Sequence, residues 1–347
     1  MSRRAAAIIP TLNEAAHIGG LLAGLARLPG ERLVEILVAD GGSMDGTRDL
    51  VRAAARVDPR VRLIDNPARL QSAGVNRAAA AADPRADTLV RIDAHCAYPD
   101  DYVPRILAAF AETGADMVAV RLDTRGETCL QRGIAAASNS RIGTGGSAHR
   151  VGGYAGFVDH GHHAGMDRAM FDRIGGYDES FAANEDAEFD YRVRRAGGRI
   201  WLAGGIEAIY HPRRTLGRLF AQYFRYGAGR ARTWRKHRER LRLRQMLPTL
   251  AVAATAAALA AAPFRPWALA VPGAYLGVIG VATLALLRRN PSPCTLLAAP
   301  ALVVMHFAWG LGFIGALLSP GGRKGRNPKP VTSISPAIAA QPQGETQ

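Results

Sequence analysis

Cysteine is scarce. The 347 residues hold three, Cys96, Cys129 and Cys294, far apart and without C-x-x-C spacing. That excludes a disulfide-built scaffold and a cysteine-ligated zinc module, and it fits a reducing compartment for the water-soluble part. No G-x-G-x-x-G follows the first apolar run, where the chain reads PTLNEAAHIGG, and no P-loop occurs. A dinucleotide-binding fingerprint and a Walker-type phosphate cradle are therefore absent. The start, MSRRAAAIIPTLNE, lacks a secretory apolar core, because Ala5–Ile9 is short and Pro10 ends it. It reads as the first β-strand of a cytoplasmic domain. Acidic residues are missing from 245–320, where the only bases are Arg265, Arg288 and Arg289.

What is present is apolar and basic. A hydrophobic fraction of 48% excludes a disordered chain. The formal charge is +15, yet residues 1–212 sum to −2 and residues 213–244, with 12 bases and one acid, sum to +11. Basicity confined to one stripe beside apolar runs is the pattern of a membrane protein rather than of a nucleic-acid binder.

Along 1–212, strand-like runs (Ala5–Ile9, Glu35–Ala39, Val61–Ile64, Thr88–Ile92, Met117–Val120) alternate with helical stretches (Ala15–Arg27, Thr47–Arg56, Ser72–Ala82). Such alternation predicts an α/β domain with a mostly parallel sheet. In these sheets ligands sit beyond the carboxyl ends of the strands, where Pro10–Glu14, Asp40–Gly46 and Asp93–His95 all fall. The Gly- and His-rich segment 141–165 reads as a long irregular lid, carrying His160, His162 and His163; His17 and His149 read as surface residues. In 213–244, Leu216, Leu219, Phe220, Tyr223 and Tyr226 recur at helical spacing between arginines, which predicts an amphipathic helix in a membrane interface. Leu247–Ala262, Trp267–Leu287 and Cys294–Leu318 are about three apolar spans. Arg288 and Arg289 place the loop between the last two on the cytoplasmic side. Three spans would put the tail outside, whereas Arg323, Lys324, Arg326 and Lys329 argue for inside; a re-entrant first segment would reconcile the two. His306 falls within a span, as a functional group or as a packing hydrogen bond. Residues 321–347 read as a disordered tail.

Two clusters carry chemistry. In Asp93-Ala94-His95, residues i and i+2 of an extended end point the same way. The carboxylate and imidazole can then share a divalent cation with a diphosphate. Asn184-Glu185-Asp186-Ala187-Glu188 precedes a helical run, and a carboxylate there can serve either as a cap or as a general base.

With these residues in view, 5–212 resembles a family-two glycosyltransferase of the GT-A fold. The motifs are IIPTLNE (8–14), VADGGSMDGT (38–47), DAH (93–95), the GGYDESF–ANED run (175–186) and His211. DAH, IWLAGG and QYFRYG (222–227) are similar to succinoglycan-type membrane glucosyltransferases that extend a lipid-linked sugar. The resemblance implies a GT-A nucleotide-sugar-binding domain (1–212), a basic interface helix region (213–244) and a helical membrane region (245–320). It implies that Pro10, Asn13 and Glu14 flank the nucleotide base and ribose, and that Asp40 contacts the base. Asp93 then meets ribose and metal, while His95 and His211 join the metal, Mn²⁺ or Mg²⁺. Asp186 is the general base, and Gln222, Arg225 and Tyr226 hold acceptor or carrier. Tyr226 stands where the family motif has tryptophan, which speaks against processive synthesis.

The implied reaction is inverting transfer of a sugar, glucose from UDP-glucose, onto a lipid-linked (polyprenyl) acceptor in surface polysaccharide assembly. Its place is a bacterial inner membrane, multi-pass, with the catalytic domain cytoplasmic. Two other readings stay open: a polyprenyl-phosphate glycosyltransferase, and a non-catalytic membrane sugar-binding scaffold.

Overall fold

The computed structural model describes residues 3–239 and 241–319, leaving the His163 side chain aside. The expected disordered tail lies outside the described residues. The first half runs β1 (Ala5–Thr11), α1 (Ala15–Ala26), β2 (Leu33–Asp40), α2 (Thr47–Val57), β3 (Val61–Asp65), α3 (Gln71–Ala81), β4 (Thr88–Arg91), α4 (Tyr102–Thr113) and β5 (Met117–Thr124). It continues with α5 (Cys129–Ser138), α6 (Arg141–Thr144), α7 (Ala148–Val151), β6 (Gly156–Val158), β7 (His162–Asp167), α8 (Arg168–Arg173), α9 (Glu185–Arg195) and β8 (Ile200–Tyr210). Four long helices follow: α10 (Leu216–His237), α11 (Leu243–Ala261), α12 (Ala270–Arg289) and α13 (Ala298–Leu318). Short 3₁₀ turns, Pro266–Leu269 and Pro293–Leu297, precede the last two.

The described strands form one sheet in the order β3-β2-β1-β4-β7-β5-β8-β6. Pairing is parallel from β3 to β4 and between β5 and β8. β7 runs antiparallel between β4 and β5, and β6 antiparallel on the far edge. Alternate residues of β1 enter opposite cores. Ala5, Ala7 and Ile9 pack with Ile18, Leu22 and Val103, whereas Ala6 and Ile8 pack with Val75, Ala78 and Leu89. Burial on both faces explains why the strand reads as an unbroken apolar run.

The segment 141–165 departs from the expected irregular lid. It contains α6, α7 and β6, and it ends by inserting β7 into the middle of the sheet. The glycines that suggested a loop make this insertion possible. A Cβ on Gly165 would lie 2.5 Å from Ile106 Cγ2 and 2.6 Å from Phe110 Cε2, and one on Gly161 would run into Ala119.

The cysteine expectation also needs correction. Cys129 of α5 and Cys294, 165 residues later, are joined in a disulfide with Cα atoms 4.9 Å apart, while Cys96 is buried and free. Folding, not spacing, brings the pair together.

α11, and α12 and α13 with the 3₁₀ turns before them, are long and apolar enough to cross a membrane by length and composition. α10 is docked on the sheet domain: Asn184 Nδ2 donates to the Tyr226 carbonyl at 2.6 Å, and Lys236 Nζ reaches Asp178 and Glu188 at 2.7 and 2.6 Å.

Candidate active site

The β4 strand ends at Arg91, and the chain runs on through Ile92 and Asp93 before it turns through His95. Arg91 and Asp93 point the same way because they are two residues apart in an extended segment. Arg91 is almost fully buried, at 4% exposed. Its Nη1 lies 2.6 Å from Asp186 Oδ1, its Nε 3.2 Å from Asp93 Oδ1, and Glu185 Oε1 is 3.8 Å away. One buried guanidinium thus joins the carboxylate at the end of β4 to the pair that opens α9. Burial works against its charge, but Asp186 and Asp93 push the Arg91 pKa well up.

Asp93 also accepts from Gln71 Nε2 at 2.9 Å, and its backbone N–H donates to the Tyr98 hydroxyl at 2.8 Å. Burial opposes its ionisation, yet the Arg91 charge more than offsets this and holds the carboxyl below its usual range. Asp186 Oδ1 accepts from the Tyr177 hydroxyl at 3.2 Å as well. His162 of β7 stands between the two acids, Nε2 3.8 Å from Asp93 and Nδ1 3.9 Å from Asp186. Burial pushes its pKa down to about 4, so the ring is neutral at physiological pH. Burial, with Asp186 beside it, moves Glu185 upward.

These groups open into a cavity of about 1170 Å³. Its lining joins Asp93, His95 and Asp186 with Arg225, Arg230 and Arg242 and with Tyr275, Ile279, Met305 and Trp309 of the apolar helices. Gln222, Arg225 and Tyr226 all line it; Gln222 Nε2 donates to the hydroxyls of Tyr210 and Tyr226 at 3.0 and 2.8 Å.

The expected nucleotide residues form a neighbouring turn cluster. Asp40 is buried and accepts from Gly42 N, Ser43 N and Arg48 Nη1 at 3.0, 2.9 and 3.1 Å. Burial opposes its charge, but Ser43, Arg48 and Gly42 hold the carboxyl low. It therefore builds the turn at the end of β2. Asn13, at φ +57°, ties the first motif to this turn through Ser43 Oγ and the Met44 N–H, at 2.8 and 3.0 Å. Pro10 completes the strand beside it. Glu14 is bonded to Thr47 Oγ1 through its N–H, and its Oε1 lies 3.1 Å from His95 Nδ1.

The expected metal trio is not brought together. His95 is engaged by Glu14. His211 lies 3.9 Å from Glu127, because the chain after β8 is drawn toward α5, where Gln131 Nε2 donates to the Pro212 carbonyl at 2.9 Å. Among the described residues, no three His, Cys, Asp or Glu side chains converge as a metal-holding group. His149, expected on the surface, is buried, with Nδ1 3.1 Å from Ser147 Oγ and its ring against His160. His160 in turn lies 2.5 Å from Asp190, one turn beyond Asp186. His306 bonds the Ile142 carbonyl and the Tyr275 hydroxyl, at 2.9 and 3.1 Å, as a packing group does. Sequence reasoning named no role for Arg91 or Gln71, held Tyr177 only as part of the GGYDESF run, and placed His162 in the expected lid rather than between the two acids. Arg91 left a signal as a lone charge two residues before Asp93 in an otherwise apolar strand.

The chain matches the model of glycosyl transferase family 2 over residues 6–175. It is 48% identical over 320 residues to a protein of Rhizobium meliloti (strain 1021) described as succinoglycan biosynthesis protein ExoA, covering 90% of this chain and 94% of that one. Among solved structures it resembles the mannosyltransferase PcManGT of Pyrobaculum calidifontis, in complex with GDP-Man and Mn²⁺. The TM-score is 0.58 at 20% identity, over 92% of this chain and 88% of that one, a likeness of fold. With the parallel sheet and the acid-lined cleft at its strand ends, these matches make the chain a member of glycosyl transferase family 2, a GT-A nucleotide-sugar-dependent glycosyltransferase.

Proposed function

We propose that this enzyme transfers a hexose, glucose from UDP-glucose, with inversion onto a lipid-linked saccharide during exopolysaccharide assembly. Its place is the bacterial inner membrane, with the catalytic domain in the cytoplasm. The carrying observation is that one cavity is lined by the Asp93 and Asp186 carboxylates, by arginines and by residues of the apolar helices together. Such a surface suits an acceptor with a sugar hydroxyl, a phosphate and a lipid tail. The succinoglycan relative supports the biosynthetic setting.

In the reaction, the C1–O bond to the donor diphosphate breaks as the acceptor oxygen bonds C1 from the opposite face. The acceptor proton passes to a base, and we assign that role to Asp186. Arg91 and Tyr177 hold Asp186 Oδ1 and so fix the carboxylate against the cleft. The Asp40–Ser43 turn and Asn13 make the platform for the nucleotide. Gln222 and Tyr226 shape the acceptor side, and Arg225 meets the acceptor phosphate.

A divalent ion would be held at Asp93, whose buried carboxylate lines the cavity with His162 Nε2 3.8 Å away. Asp93 would hold it together with the donor's own diphosphate oxygens, and the ion, Mn²⁺ or Mg²⁺, would stabilise the charge of the leaving group.

The test is nucleotide release by the detergent-purified chain, given a panel of nucleotide sugars, either metal and a lipid extract of the host. UDP release that needs metal and lipid, with one donor, supports the reading; release from no donor, with no UDP binding, rejects it. The arginines along the cavity also suit a polyprenyl phosphate as direct acceptor. In that case activity would survive Asp186→Asn and fall on Arg225→Ala.

A further inference from the structure

We infer that only α11 and α12 cross the membrane, and that α13 lies flat on the cytoplasmic surface as the floor of the catalytic domain. The inference rests on the membrane reading above.

Length and composition do not separate the three apolar segments, but packing does. The share buried within the protein is 17% for α11 and 11% for the α12 segment, against 39% for the α13 segment. α13 is held by water-soluble parts at both ends. At its start, the Cα atoms of Cys294 and of Cys129 in α5 are 4.9 Å apart, and a Cβ on Gly133 would lie 2.5 Å from Leu297 Cβ, a contact that close packing holds whether or not the two thiols are joined. Midway, His306 bonds the Ile142 carbonyl. At its end, Arg235 of α10 donates to the Leu317 and Ser319 carbonyls at 2.5 and 3.1 Å.

Between these points α13 runs beside α10 in the same direction. Leu219 shares a core with Ala301 and Met305, a Cβ on Gly312 would run into the Phe224 carbonyl, and one on Gly227 into the Trp309 carbonyl. α10 cannot cross, because it is tied to β8, α9 and the turn before α9 along its length. Gln222 reaches Tyr210, Tyr226 reaches Asn184, and Lys236 reaches Asp178 and Glu188. A helix of 21 residues, about 31 Å long, has the reach of a span. With both ends on the same domain it cannot be one.

The hairpin behaves otherwise. α11 leaves α13 near Gly310, where a Cβ would lie 2.6 Å from the Pro248 carbonyl, and α12 returns to it through Ile279 and Leu286. The connection between them is far more open: Phe264 is 81% and Trp267 74% exposed. The floor keeps Phe220 and Phe224 at its surface, beside the basic stripe, as an anionic bilayer surface favours. Two crossings return the chain to its starting side. The basic tail, Arg323 to Lys329, then lies inside, which removes the conflict that three spans create.

The test is cysteine labelling of the full chain in intact spheroplasts with a membrane-impermeant maleimide, using Val57→Cys in the catalytic domain, Phe264→Cys in the hairpin and Gln347→Cys in the tail. Val57 is 87% exposed at the end of α2, away from the site. The expected result is that Phe264→Cys labels in intact cells, whereas Val57→Cys and Gln347→Cys label only after lysis. Labelling of Gln347→Cys together with Phe264→Cys would overturn the inference and leave a membrane-spanning enzyme. If Phe264→Cys behaves like Val57→Cys, no hairpin crosses, and the spanning reading fails with the inference.

Discussion

From β3 to β4 the central sheet is parallel, each strand followed by a helix, and its ligand-facing turns are short. From β7 to β6 it mixes directions, takes in a strand from a glycine-rich segment and leads through β8 into α10. The first half carries the turns to which we assign the nucleotide. The second half is built to bring groups from distant segments to one point. The two meet at Arg91, which belongs to the first half and binds the acids of the second.

The strongest way to separate the halves is to remove the acid that opens α9. Asp186→Asn keeps size and polarity but not basicity. It should lower kcat by roughly 10²- to 10⁴-fold, the range of general-base catalysis, while nucleotide binding, a property of the first half, stays within error. Steady-state transfer assays paired with UDP binding by calorimetry measure both. Comparable loss of binding would mean that Asp186 serves the donor and that the division is wrong.

The seam comes next. Arg91→Met removes one partner of a buried charge network and leaves Asp93 and Asp186 facing each other without it. Breaking such a pair costs about 3–5 kcal/mol, visible as a fall in the denaturation midpoint in detergent. Asp93→Asn in the Arg91→Met background should restore part of this, since it removes one uncompensated charge. No recovery would show that Arg91 acts through packing alone.

Glycines give a third contrast. In β7, Gly165→Ala forces a methyl against Ile106 and Phe110 and should cost about 1–3 kcal/mol as overpacking. In α1, Gly20 has nothing within 4 Å of an added Cβ. Gly20→Ala should instead stabilise by about 0.5–1 kcal/mol through helix propensity. Equal effects in thermal unfolding would remove the structural distinction between the two halves.

The same distinction explains what could be read from sequence. Ala5–Ile9 and Ile36–Ala39 are apolar because they are buried on both faces, Val61–Ile64 at the sheet edge keeps apolar residues around the exposed Arg62, and their helices follow at regular distance, so strand and helix are legible. β7 is not, because HHAGMD replaces bulk with glycine where helix α4 presses close. β8 escaped because IWLAGGIEAIY carries two glycines where the register with β5 shifts. In the site, Asp93 and Asp186 stood in local motifs, whereas His162 and Gln71 earn their places only through tertiary contact. Among the described residues Asp93, His95 and His211 are not brought together, for the matching reason: motif membership says nothing of where the chain turns after β8.

The smallest expected effect concerns the tie between the second half and the helical floor. Glu188 is buried and bonds Arg192, Lys236 and His237, while Asp178 bonds Lys236. Burial opposes both charges, but the side-chain bonds dominate: Glu188 lies below its usual range, and Asp178 is lowered to about 2. A carboxylate depressed in the folded state stabilises fully above its unfolded pKa, near 4, and loses that contribution as pH falls through the folded value. The Asp178 contribution should therefore fade between about pH 4 and pH 2. Because Lys236 is 41% exposed, solvent screening keeps the pair to about 1 kcal/mol or less. Asp178→Asn should lower the unfolding midpoint slightly at pH 7 and match the unaltered chain at pH 2. A difference that stays constant across that range would mean that Asp178 holds α10 by shape and hydrogen bonding rather than by charge, and that the floor is docked without an electrostatic tie at this point.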